Sequence, residues 1–295
     1  LLWIAGRVLV LTPYETAAAL VNAAFPVAVA AGIGIPLARS GNRRNYFFVA
    51  VLLLLAVAAL SLHLSYLGVL AWPERASLQV GLDLVLFIMA VMGGRVIPMF
   101  TNNGIPGAQA KRNPLVERLA LGGVLVFLGA DLLQPPSGVI AILAIAVAAA
   151  HAARLYLWQP WRTIRTPLVW ILHAAYAWIV VYLVLRGLAA VGWVAEPLAV
   201  HALTIGAIGG MTMGMMTRTA RGHTGRPLTA DGFEVACFVL IQLAALVRIL
   251  GGVILPNAYL ATVIASGICS SGAFTIYAVR YWPVLSRSRL DGKPA

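Results

Sequence analysis

The sequence predicts an all-α fold, a polytopic bundle of transmembrane helices, and three observations carry that prediction. Of the 295 residues, 61% are hydrophobic and only 10% charged, with a mean hydropathy of +0.92. That is more apolar surface than a soluble core of this length can hide. The apolar residues gather into runs near the roughly 20 residues needed to cross a bilayer. Lys and Arg then alternate between rich and poor gaps along the chain. Alternating strand patterns are absent, and backbone polar groups in lipid must be satisfied within their own segment, so helices are the default.

The elements follow in order. Residues 1–11 form a partial apolar segment, and nine full spans follow at about 14–37, 46–70, 78–100, 114–133, 138–158, 167–188, 198–217, 233–254 and 258–282. The breaks between them carry turn or helix-start chemistry: Ser40-Gly41-Asn42, Asn113-Pro114, Pro135-Pro136, Thr166-Pro167, Glu196-Pro197 and Pro256-Asn257. The opening "LLWIAGRVLVLTP" has no charged leader and no small-residue cleavage site, so it does not read as a signal peptide. It reads as a chain entered mid-helix, which predicts a shortened N-terminus. The whole of 1–295 is expected to form a single transmembrane domain.

The gaps fix the expected orientation. Three Lys or Arg lie in 38–45, three in 101–118, two in 159–166, three in 218–232 and three in the tail, against one in 71–77 and none in 134–137, 189–197 and 255–257. The rich gaps are expected to face the cytoplasm, with the C-terminus among them. The net charge of +12 therefore belongs to the membrane surface, because the basic residues sit in short gaps and form no soluble face for nucleic acid. Cys237 and Cys269 lie in apolar segments without metal or disulfide spacing and read as small buried hydrophobes.

Ionisable groups inside a span cost several kcal/mol unless paired, hydrated or able to snorkel, so each is a candidate functional residue. At 1.5 Å per residue, His63 falls about 10 Å and His201 about 5 Å below the outer face, and His151 and His173 about 10 Å above the inner face. Intramembrane histidine serves as a neutral ligand for haem iron or copper, or as a proton relay; alternatively it bonds a neighbouring helix. Asp83, Asp131 and Arg248 fall in the outer half, and the two aspartates are at the level where Arg248 needs a partner. Arg95 and Arg154 fall in the inner half. Arg154 and Arg186 lie near span ends, where a long side chain snorkels to the surface.

Met211 and Met215 share one helical face and offer thioether sulfur to copper(I), or simply fill the core. Gly206, Gly210 and Gly214 form two overlapping GxxxG units that admit a close helix neighbour. Two stretches, "GGRVIPMFTNNGIPG" at 93–107 and "TRTARGHTGRPL" at 217–228, read as cytoplasmic loops. They contain no phosphate-loop, nucleotide or triad pattern. Arg95, Arg218, Arg221, His223 and Arg226 there either bind an anion or set the topology.

Longer motifs point further. "GGRVIPMFTNN" at 93–103, "LVWILHAAYAW" at 168–178, "HALTIGAIGGMTMGMMTRTARGHTGRPL" at 201–228 and the closing "YWPVL" and "DGKPA" resemble the NnrS family of bacterial membrane proteins, as do "LLWIAGRVLVL" and "HLSYLG". The resemblance covers essentially the whole chain. It implies a multi-pass protein of the bacterial inner membrane that contains haem and copper and takes part in the response to nitric oxide and nitrosative stress. It implies nitric oxide or a metal-nitrosyl species as a partner beside the lipid bilayer. Family members resemble twelve-helix proteins, so about two N-terminal helices are missing from the ten segments here. Their histidine-rich motifs, HPFRPFF and WHAHEM, do not occur in this chain. The positions that match the family's histidines are His63, His151, His173, His201 and His223; for a metal, the expected set is His63 and His201 with Met211 and Met215. The alternative reading is a proton-coupled secondary transporter that uses the intramembrane His, Asp and Arg residues.

Overall fold

A computed structural model describes residues 1–290 and 292; the carboxy-terminal "DGKPA" motif lies largely outside the described residues. No strand occurs among the described residues. A short helix, α1 (Leu2–Leu9), occupies the partial segment. Long helices then follow the predicted spans: α2 (Glu15–Arg39), α3 (Tyr46–Tyr66), α4 (Glu74–Gly104), α5 (Pro114–Leu133), α6 (Ser137–Leu157) and α7 (Pro167–Ala190). The next is composite, with α8 (Glu196–His201), a π-helical stretch Ala202–Gly209 and α9 (Gly210–His223) in one continuous rod. The chain ends with α10 (Gly232–Ile254) and α11 (Tyr259–Leu285). Eight of these are long and apolar enough to cross a membrane. The α5 helix is not among the eight, because its 20 residues hold Glu117, Arg118 and Asp131.

Local chemistry explains the helix starts. Asn113 Oδ1 accepts hydrogen bonds from the backbone N–H groups of Leu115 and Val116 at 2.9 and 3.3 Å, and Pro114, which has no N–H to lose, takes the first helical position. Pro167 does the same for α7. Asp231 and Glu234 form a reciprocal capping box at the head of α10. Gly192 (φ +79°) ends α7 in the left-handed conformation that a glycine adopts without a Cβ penalty.

One boundary departs from the sequence reading. The stretch 93–104, read as part of a loop, continues α4 through Pro98. Its polar residues find partners without leaving the helix. Thr101 Oγ1 donates to Ile97 O at 2.8 Å, and Asn102 bonds both backbone groups of Ala110, folding the following segment back. Likewise 217–223 is the last part of α9, and only 224–228 is loop.

The described chain divides into two compact units. The first comprises Leu1–Met89 and Val124–Pro135, where α1 packs on α2 and α2 on α3. Arg7 hydrogen-bonds Asn22 Oδ1, and Asn22 donates back to Ala18 O at 2.8 Å and Gly6 O at 3.3 Å. The second unit comprises Ala90–Gly123 and Pro136–Ala295. There α7 packs against α6, α8, the π stretch and α9, while α10 and α11 pair with each other.

The glycine stripe of the composite helix is a close-packing surface, as its spacing predicts. A Cβ at Gly206 would lie 2.4 Å from Trp178 Cγ, and one at Gly214 would lie 2.9 Å from Ile171 and Leu172. The Trp178 ring fills the room that Gly206 leaves, and its Nε1 donates to Gln242 Oε1 at 2.8 Å across to α10. The π stretch spans this contact. Wide turns of this kind are rare and are commonly found beside functional sites.

Candidate functional site

The most enclosed polar chemistry lies in the second unit, on four helix segments. α6 carries His151 and Arg154, and α7 carries His173 and Tyr176; in each case the spacing i, i+3 sets both side chains on one face. α5 contributes Glu117 and α4 contributes two adjacent glycines.

Arg154 is 1% exposed. A guanidinium so deep must be both neutralised and fully hydrogen-bonded. Its Nε donates to Glu117 Oε1 at 2.9 Å and its Nη2 to Glu117 Oε2 at 2.6 Å, the two-pronged fork that suits a carboxylate. Its Nη1 donates to Ala90 O at 2.6 Å and to the Tyr176 hydroxyl at 2.9 Å. The Trp158 ring lies 5.1 Å from the guanidinium carbon. The expectation that Arg154 snorkels is thus corrected: Glu117, 37 residues away, and a backbone carbonyl hold it in the core.

The two glycines make this possible. A Cβ at Gly94 would lie 1.7 Å from Arg154 Nη2, and one at Gly93 would lie 3.1 Å from the Tyr176 ring. The Gly-Gly of "GGRVIPMFTNN" therefore leaves the volume into which Arg154 and Tyr176 reach.

The chain of contacts continues from Tyr176 to His151, whose Nδ1 lies 2.6 Å from the hydroxyl. The His151 ring is fully buried, and its Nε2 has no hydrogen-bond partner among the described residues, although the backbone of Ala120 lies close enough to interact with the ring. Because a guanidinium only donates, the Tyr176 oxygen accepts from Arg154 and has its own proton to give to His151 Nδ1. In that arrangement Nε2 carries the ring proton. If Nδ1 instead donates to Tyr176, Nε2 presents a lone pair.

The other sequence-predicted residues occupy different settings. His173 is buried and tied down: Nδ1 lies 3.1 Å from Val169 O, and Nε2 lies 3.3 Å from Thr101 Oγ1 and 3.4 Å from Trp158 O. His201 stands half-buried where α8 meets the π stretch, with Arg248 as its charged neighbour. Arg248 donates to the Tyr259 hydroxyl at 2.7 Å and stacks over that ring, so its observed partner is a phenol on α11. Asp83 and Asp131 are buried in the first unit, where Asp83 accepts from Gln79 Nε2 at 3.0 Å. Arg218 lies 3.8 Å over the Phe100 ring, and Arg95 is half-buried on α4. Met211 is buried and Met215 half-buried on α9, while His223 is exposed at its end.

His63 belongs to the first unit. It lines a cavity of about 500 Å³ with Leu9, Leu11, Thr12, Glu15 and Tyr66. The volume is within the range typical of ligand pockets.

Sequence reasoning misses Glu117 and Tyr176. Glu117 reads as part of a basic gap, and Tyr176 as one aromatic among many. The signal that finds them is the repeated i, i+3 pairing on α6 and α7, since a buried His–Arg face demands an acid and a hydroxyl opposite.

Helices of this length and apolarity, enclosing a satisfied ion pair in their core, define a multi-pass α-helical membrane protein. The family model described as NnrS protein matches residues 1–289. The chain belongs to the NnrS family. No curated protein matches it, and no solved structure does.

Proposed function

We propose that this protein binds haem in the bacterial inner membrane, with its C-terminus cytoplasmic, and serves the response to nitric oxide and nitrosative stress. The observation that carries the reading to this chain is His63 on its cavity. One axial imidazole is enough to hold haem iron, and the cavity joins apolar Leu9, Val10 and Leu11 to polar Thr12, Glu15 and Tyr66. These residues fit the group: His63 would ligate the iron, and Leu9, Val10 and Leu11 would offer apolar contact to the macrocycle. Bound haem would supply an iron centre able to take a diatomic ligand. The protein's own contribution is to hold the imidazole beside apolar side chains.

Copper draws less support from the described residues than haem does. Among the described residues no group of three or more His, Cys, Asp or Glu side chains is poised to hold a metal ion. Met211 and Met215 share a face of α9, but His201 is ten residues from Met211 on the same rod, more than about 10 Å along its axis.

Absorption spectroscopy of the purified protein tests the reading. The expected result is a Soret band that shifts or disappears in His63→Ala and persists in His173→Ala, whose ring is already held by hydrogen bonding within its own unit. A colourless protein after haem loading, or a band indifferent to His63→Ala, overturns it.

A second reading is favoured by one observation, the buried Glu117–Arg154–Tyr176–His151 chain, in which the permanently charged Arg154 holds a carboxylate beside a phenol hydroxyl that shares a proton with an imidazole. Proton-coupled transport would use such a chain. Substrate uptake into liposomes that tracks a pH gradient, and that Tyr176→Phe abolishes, is its signature.

A further inference from the structure

The end of the bundle where α9, α10 and α11 meet carries chemistry that neither haem binding nor proton transfer uses. After α9 the chain turns sharply: Gly225 takes φ +71°, and Arg226 N bonds back to Arg221 O at 2.9 Å, bringing Arg226 over the helix end. The tail beyond α11 crosses the same region, because Leu290 N donates to Thr224 O at 3.1 Å. Between these segments lies a cavity of about 310 Å³ whose lining is mainly polar.

Among the described residues its charges do not balance. Four arginines, Arg221, Arg226, Arg280 and Arg287, line it against two acids, Asp231 and Glu234. The acids are already engaged. Glu234 takes the Arg221 fork at 2.6 and 2.9 Å and a hydrogen bond from the Tyr281 hydroxyl, while Asp231 caps α10 and pairs with Arg280 at 3.1 Å. Among the described residues, two arginines are left over. Arg226 has a buried Nη1 with no hydrogen-bond partner among the described residues, and Arg287 joins it on the wall. A buried guanidinium N–H without an acceptor is costly, and an anion in the cavity would remove that cost.

We propose that this cavity is a binding site for a phosphate-type anion, held by Arg226 and Arg287 and organised by the Arg221–Glu234–Tyr281 contacts behind them. Planar guanidinium groups match phosphate oxygens in pairs, and the excess of two positive charges suits a mono- or dianion. The site lies at the ends of three membrane-spanning helices, the level at which lipid headgroups meet water. The same chemistry is offered by an anionic lipid headgroup and by free phosphate.

The test uses the full chain in two settings. In detergent micelles it is titrated with inorganic phosphate, with chloride at equal ionic strength as control; in nanodiscs, phosphatidylcholine alone is compared with phosphatidylcholine containing phosphatidic acid. The readout is thermal stability, together with apparent affinity from the titration. Phosphate-dependent stabilisation that falls about tenfold in apparent affinity in Arg226→Gln and in Arg287→Gln supports a soluble ligand, tenfold being one charge-assisted contact. Stabilisation only by phosphatidic acid, again lost in both variants, supports a lipid headgroup. Arg226→Lys keeps the charge but not the fork and should retain part of the effect. If neither anion stabilises the wild type beyond its control, or if both glutamine variants respond as wild type does, the proposal is overturned. Each variant's stability without added anion is measured alongside, so misfolding is separated from lost binding.

Discussion

Replacing Gly94 with alanine is the sharpest probe of the buried ion pair. The new Cβ would lie 1.7 Å from Arg154 Nη2 and 2.5 Å from its Cζ, so the guanidinium must move. It cannot move without losing contacts, because Nη2 and Nε are both bound to Glu117 and Nη1 to Ala90 O and Tyr176. Breaking a buried pair costs about 3–5 kcal/mol, and overpacking alone costs about 1–3 kcal/mol. The better helix propensity of alanine returns about 1 kcal/mol. The two costs are alternatives, since a displaced guanidinium relieves the overpacking, and the expected net effect of losing the pair is a loss of about 3 kcal/mol. Gly122→Ala on α5 is the matched control: nothing lies within 4 Å of its Cβ position, so only the propensity gain remains. Denaturant unfolding in detergent micelles, followed by circular dichroism, should therefore move the two variants in opposite directions. Equal stabilities for Gly94→Ala and Gly122→Ala would refute the placement of Arg154 under α4.

Two further outcomes concern contacts on the same unit. Tyr176→Phe removes the hydroxyl that joins Arg154 to His151 and should cost about 1–3 kcal/mol in the same unfolding assay, because two buried polar groups each lose a partner. At the loop before α10, burial works against the Asp231 carboxylate, but the backbone N–H of Glu234, Arg280 and the Phe233 N–H together hold its pKa below the ordinary value of 3.8. A depressed carboxylate contributes stability that is present above that ordinary value and lost as pH falls through the lower, folded-state one. Melting temperature followed from about pH 6 to about pH 3 should thus drop at the acid end in the wild type, and Asp231→Asn should flatten part of that drop.

The spans were legible because length and hydropathy are local properties. Asn113, Thr166 and Asp231 also mark their helix starts locally, as turn-forming or capping residues set immediately before the first helical turn. Features that depend on a distant partner were not legible in this way. Arg154 is near a span end, which suggests a route to the surface; its actual solution, Glu117 on another helix, lies 37 residues earlier. The Thr101-Asn102-Asn103 run looks like loop composition, yet its first two side chains bond within reach of α4 and let the helix continue. Among the candidate residues, the histidine positions were found, but not that His173 would be tied to backbone oxygens while His63 faces a cavity. The π stretch left no mark in the apolar pattern. Gly206 and Gly210 announced a close neighbour, not a wider turn.

Gly94, Arg154 and Glu117 constrain one another's substitution. Removing either charge alone strands the other in oil, whereas replacing the pair together with apolar groups of equal volume is often neutral. Regrowing a side chain at Gly94 is admissible only once the guanidinium has gone. These three positions should drift as a block across related chains, with glycine present wherever the arginine is and free to vary wherever it is not.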